Sequence, residues 1–351
     1  LRENYTKFYV RLPKGAREDY GWTPETPKLV YIDFALFKGG EQADLAHTRV
    51  GLRKIHIDEH GKICLNGRPY YQRLVLDQGY WRESGLTPPS AEALKKDIEL
   101  AKAMGLNGAR KHQKAEDPYF CYYAEEMGFL TWCEMPSAYR YNAKEAQALL
   151  SEWQEMLATA KNCSSNVCYV SLNESWGVRE MVTDKAQKDF ARAMYYTTKA
   201  IDGEKLISTN DGFETVNPTD LLGVHDYDSD KAEDFAKYAD EQYDGMHPQG
   251  FALFADGERY AGGPVLLTEF GGRAMQADAK GEAWGYSGAA ANEEDFLKQL
   301  QSIMRGVYSC NFQGYCYTQL TDVQQEVNGL LTADRTPKAD LKRLKDIFEN
   351  K

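Results

Sequence analysis

The sequence lacks the patterns that mark most metal-dependent and nucleotide-dependent proteins. None of the seven cysteines forms a CxxC pair, their number is odd and four lie in apolar runs, which predicts free, buried thiols in a reducing compartment. The six histidines form no HExxH motif, so a zinc-hydrolase site is poorly supported. No glycine-rich phosphate-binding fingerprint follows an apolar run, which disfavours a nucleotide-binding open sheet.

Positive charge and long apolar runs are equally scarce. With 42 Lys and Arg against 53 Asp and Glu, the formal net charge is −11, whereas nucleic acids and anionic membranes require a basic face. No apolar run approaches the roughly 20 residues of a membrane-spanning helix. We therefore expect neither partner. The chain begins at Leu1 without a secretory pattern, and we expect a cytoplasmic location unless targeting information lies outside this sequence.

From residue 63 onward the chain alternates short apolar runs with amphipathic helical stretches. In one stretch, Leu94, Ile98 and Met104 fall at helical spacing before Gly105, a typical C-terminal stop. Eight such runs alternating with helices over about 280 residues predict a (β/α)8 TIM barrel. The predicted strands cover 69–77, 106–110, 129–135, 167–174, 206–211, 221–227, 264–272 and 311–320, and the predicted helices 91–105, 142–162, 184–202 and 292–308.

The first 57 residues have a different, β-rich texture. Segments 28–42 and 48–58 predict strands, the first ending in a Gly-Gly turn. Two or three strands do not form a stable sandwich by themselves, so this segment is either part of a β domain or packs on the barrel. We divide the chain into a short β-rich segment, residues 1–57, and a barrel, residues 58–351.

Polar residues gather where the predicted strands end. In a barrel of this kind the interior is packed with apolar side chains, and functional residues lie at the C-terminal strand ends. A buried, ionised carboxylate costs several kcal/mol unless it is paired, so a purely structural barrel has no reason to collect them. The strand-end set is Asp77, Arg110, His112, Glu134, Asn173, Glu174, Asn210, Asp211, His225, Asp226, Tyr227, Glu269, Thr318, Gln319 and Asp322.

Two glutamates stand out in this set. Glu174 ends the fourth predicted strand and Glu269 the seventh, and glycines follow both closely, which leaves space for a ligand. Two carboxylates in one cleft can hydrolyse a glycosidic bond, because one donates a proton while the other attacks or activates water. Capping of the following helix is the minor alternative for Glu174.

The motifs around these glutamates resemble those of glycoside hydrolase family 2, which contains β-galactosidases, β-glucuronidases and β-mannosidases. NESWG at 173–177 and TEFGG at 268–272 are similar to the two signature segments of that family. Segment 65–81 resembles the opening of the family's barrel, and 317–338 resembles its closing segment. Segment 22–55 resembles the end of the family's immunoglobulin-like domain, so residues 1–57 are expected to be part of such a sandwich.

The resemblance implies a retaining exo-β-glycosidase with Glu174 as general acid/base and Glu269 as nucleophile. Retention requires the two carboxyl groups to lie roughly 5–5.5 Å apart. By the same resemblance, Asn173 binds the sugar 2-hydroxyl and Tyr227 donates a hydrogen bond to the nucleophile. A turn amide and a core aromatic are the structural alternatives for these two residues.

Five further residues are candidates for substrate binding by this resemblance. Arg110 and His112 occupy the second strand end, where the family places an Arg and a sugar-contacting His. Trp176 and Tyr317 are candidate stacking platforms, with Tyr317 standing where the family frequently has a tryptophan. Asp77 is expected to bind sugar hydroxyls, with a salt bridge as its alternative. His225 is explained equally well by a structural role.

No metal ligand set can be assigned, although family members hold Mg²⁺ or Na⁺ near the site, and we predict no cofactor. Glucuronidases of the family carry Asn-x-Lys before the closing segment, where this chain has Glu326-Val327-Asn328. Glu326 would repel a sugar carboxylate. The expected substrate is therefore a neutral hexoside, β-galactoside first and β-mannoside or β-glucoside next, with β-glucuronide disfavoured.

Two other classes of function stand beside this one. A carbohydrate-binding barrel without catalysis is disfavoured because both glutamates and Asn173 are present. A structural module is disfavoured by the strand-end carboxylates. The only partner that the sequence predicts is the carbohydrate substrate, and a homo-oligomer is left open.

Overall fold

The computed structural model describes residues 9, 11, 14, 15, 19–275, 283–286 and 288–351. An antiparallel hairpin and a small antiparallel sheet come first, followed by a parallel barrel. The strands are β1 (Val30–Lys38), β2 (Glu41–Val50), β3 (Ile55–Ile57), β4 (Ile63–Leu65), β5 (Arg68–Pro69), β6 (Gln72–Asp77), β7 (Gly108–Lys111), β8 (Leu130–Glu134), β9 (Asn166–Val170), β10 (Leu206–Ser208), β11 (Leu222–Asp226), β12 (Val265–Phe270), β13 (Ala274–Met275), β14 (Ala289–Ala290) and β15 (Gly314–Tyr317).

The barrel contains eight parallel strands in the order β10-β9-β8-β7-β6-β15-β12-β11. Each is one of the eight runs predicted from the sequence, so the predicted (β/α)8 barrel is confirmed. The first and last strands of this order, β10 and β11, come together through the segment that connects them in the chain. The amide of Asp220 donates to Ile207 O at 2.9 Å, and that of His225 donates to Gly212 O at 3.3 Å. The sheet is therefore nearly closed.

Helices follow most of the barrel strands. They are α1 (Ala91–Ala103), α2 (Pro118–Met127), α3 (Ala143–Ala160), α4 (Lys185–Ile201), α5 (Glu293–Ser309) and α6 (Leu341–Phe348). Each begins at a side chain that accepts from a backbone amide of its first turn, as Ser90 does for α1 and Asn142 for α3, which satisfies amides that have no partner within the helix. The four predicted helices are confirmed, and α2 and α6 add to them.

Strand alternation divides the barrel core into two layers. Leu74, Leu76, Leu130, Trp132 and Cys316 belong to the cluster that fills the barrel interior. Their neighbours along the strands belong to clusters packed between the strands and the surrounding helices, because successive side chains point to opposite faces. This alternation decides which strand-end residues reach the interior.

The N-terminal part closes the opposite end of the barrel from the strand-end residues. Trp22, Ile55 and Ile63 pack in the same cluster as the barrel interior, and the Gly51 amide donates to the hydroxyl of Ser164, just before β9 begins. The hairpin β1–β2 is largely exposed. The proposed domain boundary at residues 57/58 falls between β3 and β4, which pair with each other, and it stays a prediction.

The cysteines differ from the expectation of free thiols throughout. Cys121 in α2 and Cys163 before β9 form a disulfide. The remaining five, Cys64, Cys133, Cys168, Cys310 and Cys316, are free. The sequence could not reveal this pair, because the two cysteines lie 42 residues apart and meet only when α2 packs beside the start of β9. No helix in the described part of the chain is both long and apolar enough to cross a membrane.

Candidate active site

Arg110 lies at the centre of a buried polar network at the C-terminal end of the barrel. Its guanidinium donates to Glu134 Oε2 at 2.5 Å, to Glu269 Oε1 at 2.9 Å and to Asn173 Oδ1 at 2.6 Å. Asp211 Oδ2 lies 2.9 Å from the same guanidinium. Burial opposes the charge, but the three carboxylates outweigh it and raise the pKa of Arg110. The network thus joins five strand ends around one fixed cation.

Glu269 is aimed into this network by an irregularity in β12. The register of β12 against β11 slips by one residue just before Glu269, which leaves Thr268 as an extra residue. A bulge of this kind re-aims the side chain beside it. Glu269 Oε1 accepts from Arg110 at 2.9 Å, and Oε2 accepts from the Tyr227 hydroxyl at 2.7 Å. Two donors from different strands therefore fix both oxygens.

Glu174 lies beyond the end of β9 in a turn with left-handed backbone. The φ angle is 49° at Glu174 and 52° at Ser175, a conformation that costs non-glycine residues about 1–3 kcal/mol. The amide of Glu174 donates to Asp211 O at 3.0 Å, and that of Ser175 to Asn210 Oδ1 at 3.1 Å. The turn brings an oxygen of Glu174 within 4.8 Å of one of Glu269.

The electrostatic surroundings of Glu174 differ from those of an isolated carboxyl group. Its side chain is 23% exposed, and His225 Nδ1 lies 2.7 Å from Oε1. Burial alone would raise the pKa of Glu174, but the hydrogen bond and charge of His225, followed by the charge of His112, outweigh it, so the pKa is lowered. In the free protein Glu174 is therefore ionised at neutral pH.

Asn173 and Tyr227 flank the two glutamates. Asn173 Oδ1 accepts from Arg110, whereas its amide nitrogen has no partner among the described residues, so one donor is available to a ligand. The Tyr227 hydroxyl lies 2.7 Å from Glu269 Oε2 and 3.0 Å from Thr318 Oγ1. Both residues lie where their predicted roles require them, and the roles themselves stay predictions.

His225, which the sequence left undecided, lies between the two glutamates. Its Nδ1 faces Glu174, and its Nε2 lies 3.1 Å from Asp211 Oδ2 and 3.5 Å from Glu269 Oε1. Burial opposes protonation, but the charge of Glu269 and the hydrogen bonds with Asp211 and Glu174 raise the pKa of His225 to about 10. The sequence did carry a signal for His225. Residues two apart in a strand lie on the same face, and Tyr227, two residues after His225, was already a candidate site residue.

His112 lies beside the centre of the network and not within it. Its Nδ1 is 3.1 Å from Glu134 Oε1 and 3.8 Å from Glu269 Oε1, close enough for ionic attraction, although Nδ1 makes no hydrogen bond of good geometry. Burial opposes protonation, but Glu134 and then Glu269 outweigh it and raise the pKa of His112. The ring is 17% exposed, so it can contact a ligand.

Aromatic side chains border the cleft. Trp176 is 39% exposed, its indole N–H lies 3.4 Å from Glu174 Oε2, and Arg179 stacks on its ring at 3.5 Å. Sequence reasoning missed a second aromatic residue, Tyr286, which is partly exposed and stacks on Tyr227 with ring centroids 3.7 Å apart. Tyr286 follows no barrel strand, so the census of strand ends could not find it.

Tyr317 does not reach the cleft, which corrects the prediction that it stacks on the sugar. Its ring packs 5.6 Å from that of Phe270 and 5.5 Å from that of Phe348 in α6, and it is only 1% exposed. The physical reason is strand alternation: Cys316 takes the interior position, so its neighbour Tyr317 faces the helices.

Asp77 is also directed away from the cleft, against the expectation that it binds sugar hydroxyls. Its side chain pairs with that of Lys111, and it accepts from the Gly79 amide at 2.8 Å. Lys111 also lies 2.7 Å from Glu116 Oε2. Burial opposes ionisation of Asp77, but Lys111 outweighs it and lowers the pKa of Asp77. The salt-bridge alternative is therefore the one the structure supports.

Glu326 belongs to a ring of hydrogen bonds at the edge of the site. Gln78 donates to Gln319 at 2.9 Å and to Glu326 at 3.1 Å, Gln319 donates to Asn328 at 2.8 Å, and Asn328 donates to Glu326 at 3.0 Å. Burial raises the pKa of Glu326, and the charge of Glu269 adds to that effect. Gln78 and Gln319 follow the C-terminal ends of β6 and β15, so the ring lies at the same end of the barrel as Glu269.

The strand-end acids do not fit a resident metal ion. Ligand atoms of Glu174, His225 and Glu269 lie within 4.8 Å of one another, which is compatible with a shared cation by distance alone. However, both ring nitrogens of His225 face carboxylates at hydrogen-bond distance, so the imidazole offers no free lone pair.

No family model matches the chain, but individual relatives and solved structures do. The β-galactosidase of Pseudoalteromonas haloplanktis is 24% identical over 353 residues, which cover 91% of this chain and 30% of that protein. A putative β-glucuronidase of Formosa agariphila is 30% identical over 139 residues, 39% of this chain and 16% of that protein. The chain thus spans less than a third of these curated relatives.

The solved structure of a glycoside hydrolase family 2 β-galacturonidase from Eisenbergiella tayi superimposes with a TM-score of 0.75 at 23% identity. The match covers 94% of this chain and 60% of that one. An apo β-glucuronidase from Bacteroides uniformis superimposes with a TM-score of 0.72 at 15% identity, over 94% and 44% of the two chains. Relatives and structural neighbours alike are glycoside hydrolases.

The fold is a (β/α)8 barrel with carboxylates gathered at its strand ends, and in sequence and fold the chain is similar to barrel glycoside hydrolases. The comparisons bear out the resemblance to glycoside hydrolase family 2 that the two signature segments indicated. The relatives differ in the substrates after which they are named, so the comparisons do not select a sugar.

Proposed function

We propose that the chain carries the catalytic barrel of a retaining exo-β-glycosidase that releases a terminal, neutral β-linked hexose, most readily galactose. The observation that supports this most directly is the approach of Glu174 and Glu269, which have oxygens within 4.8 Å of each other. Retaining enzymes place their carboxyl groups roughly 5–5.5 Å apart, and inverting enzymes roughly 6.5–9.5 Å apart.

The reaction would proceed in two displacements. In the first, a Glu269 oxygen attacks the anomeric carbon, the bond from that carbon to the glycosidic oxygen breaks, and Glu174 gives its proton to the departing oxygen. In the second, Glu174 takes a proton from water, the water oxygen attacks the anomeric carbon, and the ester bond to Glu269 breaks. The free amide of Asn173 would hold a sugar hydroxyl during both steps.

The protonation state of Glu174 has to change when substrate binds. In the free protein its pKa is lowered, chiefly because His225 outweighs burial. A sugar that covers the exposed part of Glu174 removes water from the carboxyl group, and desolvation raises a carboxyl pKa. We therefore infer that the proton for the first step is taken up on binding, which favours an acidic optimum for kcat/KM.

The choice of sugar is supported by the charge of the pocket. Glu326 lies in the hydrogen-bonded ring at the same end of the barrel as Glu269, and a sugar carboxylate next to Glu326 would be repelled. The relatives named β-galactosidase support a galactoside. The β-glucuronidases and β-galacturonidase among the other matches favour a uronide as the second candidate, which would need Glu326 to be protonated.

The decisive experiment is the intact mass of the protein after incubation with 2-deoxy-2-fluoro β-glycosyl fluorides of the galacto, gluco, manno and glucurono series. The fluorine slows hydrolysis of the ester, so a retaining enzyme accumulates one adduct. We expect the galacto compound to label Glu269, located by peptide mapping, and Glu269→Gln to stay unlabelled. An adduct on another residue, or labelling only by the glucurono compound, would contradict the proposal.

A further inference from the structure

The carboxyl group of Glu174 has two oxygens, and the structure gives them different partners. Oε1 lies 2.7 Å from His225 Nδ1. Among the described residues, Oε2 has only the indole N–H of Trp176, at 3.4 Å, a long and therefore weak contact. Since Trp176 is exposed, Oε2 is the oxygen on the open side of the cleft.

The protonation of His225 follows from the groups that face it. Nδ1 faces the carboxylate of Glu174, while Nε2 faces those of Asp211 and Glu269, and Arg110 NH1 lies 3.3 Å from Nε2. The two carboxylates at Nε2 favour a proton there over an accepted hydrogen bond from Arg110, and the carboxylate of Glu174 favours a proton on Nδ1. With its pKa raised to about 10, the ring carries both protons at neutral pH, and Nδ1 donates a hydrogen bond to Glu174 Oε1.

The ring is held in this orientation by its neighbours. A Cβ atom at residue 212 would lie 2.5 Å from His225 Nδ1, and the φ angle of Gly212 is +104°, so a glycine is needed where the imidazole passes. Phe213 packs its edge against the ring with centroids 6.3 Å apart. His225 is fully buried. These contacts leave the imidazole a single position, from which Nδ1 reaches Glu174.

We propose that His225 is the positioning residue of the acid/base carboxylate: its Nδ1–H occupies Oε1 of Glu174 throughout the reaction and thereby assigns proton exchange with the substrate to Oε2. Because Oε1 always accepts from His225, the carboxyl proton can reside only on Oε2. His225 itself neither gains nor loses a proton in the cycle. This inference rests on the proposed function and adds to it the identity of the reacting oxygen and the residue that selects it.

The kinetic test compares wild type with His225→Leu and His225→Asn on aryl β-glycosides of the sugar that wild type hydrolyses. We expect His225→Leu to lower kcat/KM on the order of 10²-fold for a phenyl glycoside, which needs protonation of its leaving oxygen. For a 2,4-dinitrophenyl glycoside, which does not, the loss should be only a few-fold. The amide of Asn can donate from nearly the same place as Nδ1, so His225→Asn should recover much of the activity.

The pH profile separates positioning from a merely structural role. Because the charge of His225 favours the ionised form of Glu174, its removal in His225→Asn should shift the alkaline limb of kcat/KM to higher pH, by about one unit. A structural defect would lower activity evenly. Equal losses on both leaving groups together with an unmoved alkaline limb would overturn the inference.

A spectroscopic test keeps the inference separate from the proposed function. In protein labelled with ¹⁵N-histidine, the resonances of His225 are identified by their loss in His225→Asn. We expect its Nδ1 to have the shift of a protonated nitrogen from pH 5 to 9 and to move in Glu174→Gln. An unprotonated Nδ1 would overturn the inference even if glycosides are hydrolysed. Absence of hydrolysis with every sugar would contradict the proposed function while this measurement still decides the role of His225.

Discussion

Arg110 and Lys111 are neighbours in β7, both are buried cations and both are surrounded by carboxylates, yet they belong to networks of different kinds. Arg110 gathers three carboxylates inside the barrel, whereas Lys111 joins Asp77 to Glu116 on the outer face. The inner network borders groups that can still bind a ligand, such as the partly exposed Glu174. The outer network contains its own counter-charges and lies beneath the helices.

The comparison shows that a buried charge cluster does not by itself mark a functional site. Both networks bring cations and carboxylates to the C-terminal end of the barrel, and both lower the pKa of at least one carboxyl group, Glu134 inside and Asp77 outside, against the effect of burial. What distinguishes the inner one is its position inside the barrel, beside two glutamates from different strands that have oxygens within 4.8 Å of each other. The experiments below test that distinction.

The largest effect is expected from Glu269→Gln. Loss of the attacking oxygen should lower kcat on the order of 10⁴-fold or more while the folded structure is retained, because Gln keeps the shape and can still accept from Arg110. Initial rates on a dinitrophenyl glycoside measure it.

The matched control is Glu116→Gln, which neutralises a carboxylate of the outer network. Its kcat per folded molecule should stay within about two-fold of wild type, since surface-side changes away from the site do not alter the reacting groups. If both substitutions abolish turnover equally, the separation of the two networks is wrong.

Replacing the acid/base candidate should produce an effect that depends on the leaving group. In Glu174→Gln, hydrolysis of a phenyl glycoside should fall about 10²–10⁴-fold, because no proton reaches the departing oxygen. With a dinitrophenyl glycoside the first step should survive, and added azide should restore turnover by replacing water. A uniform loss for all leaving groups, without azide rescue, would argue that Glu174 has a structural role.

A substitution in the outer network should lower the free energy of unfolding and leave the rate of the reaction unchanged. Lys111→Met leaves Asp77 and Glu116 buried without their shared cation, and breaking a buried pair from one side costs about 3–5 kcal/mol. Urea unfolding should show that loss of free energy, whereas kcat per folded molecule stays unchanged. A stable Lys111→Met with impaired kcat would place Lys111 in the site.

These residues also show how far the sequence could lead. The alternation of apolar runs and helices predicted the barrel, and the two signature segments predicted the glutamates, because both signals are local in the chain. The side on which a strand-end residue lies depends on register. Asp77 and Tyr317 were placed inside the barrel when they lie outside it, and the bulge at Thr268 that turns Glu269 inward leaves no trace in the sequence.

Contacts between residues far apart in the chain were the second limit on what the sequence could predict. His225 could be judged only by its neighbours in the chain, whereas its partners Glu174 and Asp211 come from other strands. Tyr286 reaches Tyr227 from a segment that is not part of the barrel sheet. The disulfide between Cys121 and Cys163 likewise depends on packing that composition does not encode.

The stability of the inner network should depend on pH in two directions. Glu134 and Asp211 have lowered pKa values in the folded protein, so their contribution is present above the unfolded value of about 4 and is lost as pH falls below it. His225 has a pKa raised to about 10. Its contribution is complete below the unfolded value of about 6.5 and is lost as pH rises towards 10.

Urea unfolding between pH 6 and 9 checks the alkaline part of this prediction. Wild type should lose up to about 1.4 kcal/mol per pH unit in this range, and His225→Asn should lose distinctly less because it has no proton to release. Identical slopes for the two proteins would show that His225 is neutral in the folded state.

The smallest effect is expected at the entrance of the cleft. There the exposed Trp176 can be compared with Tyr317, which is buried on the other side of its strand. Trp176 offers an exposed ring beside Glu174, and an aromatic contact contributes about 0.5–1.5 kcal/mol. Trp176→Ala should therefore raise KM for aryl glycosides about 2- to 12-fold and leave kcat for the dinitrophenyl substrate nearly unchanged. Tyr317→Phe should alter neither constant, because its ring lies among Phe270 and Phe348 on the far side of the strand. Steady-state kinetics on both variants measure this. A rise in KM for Tyr317→Phe but not for Trp176→Ala would reverse the assignment of the platform.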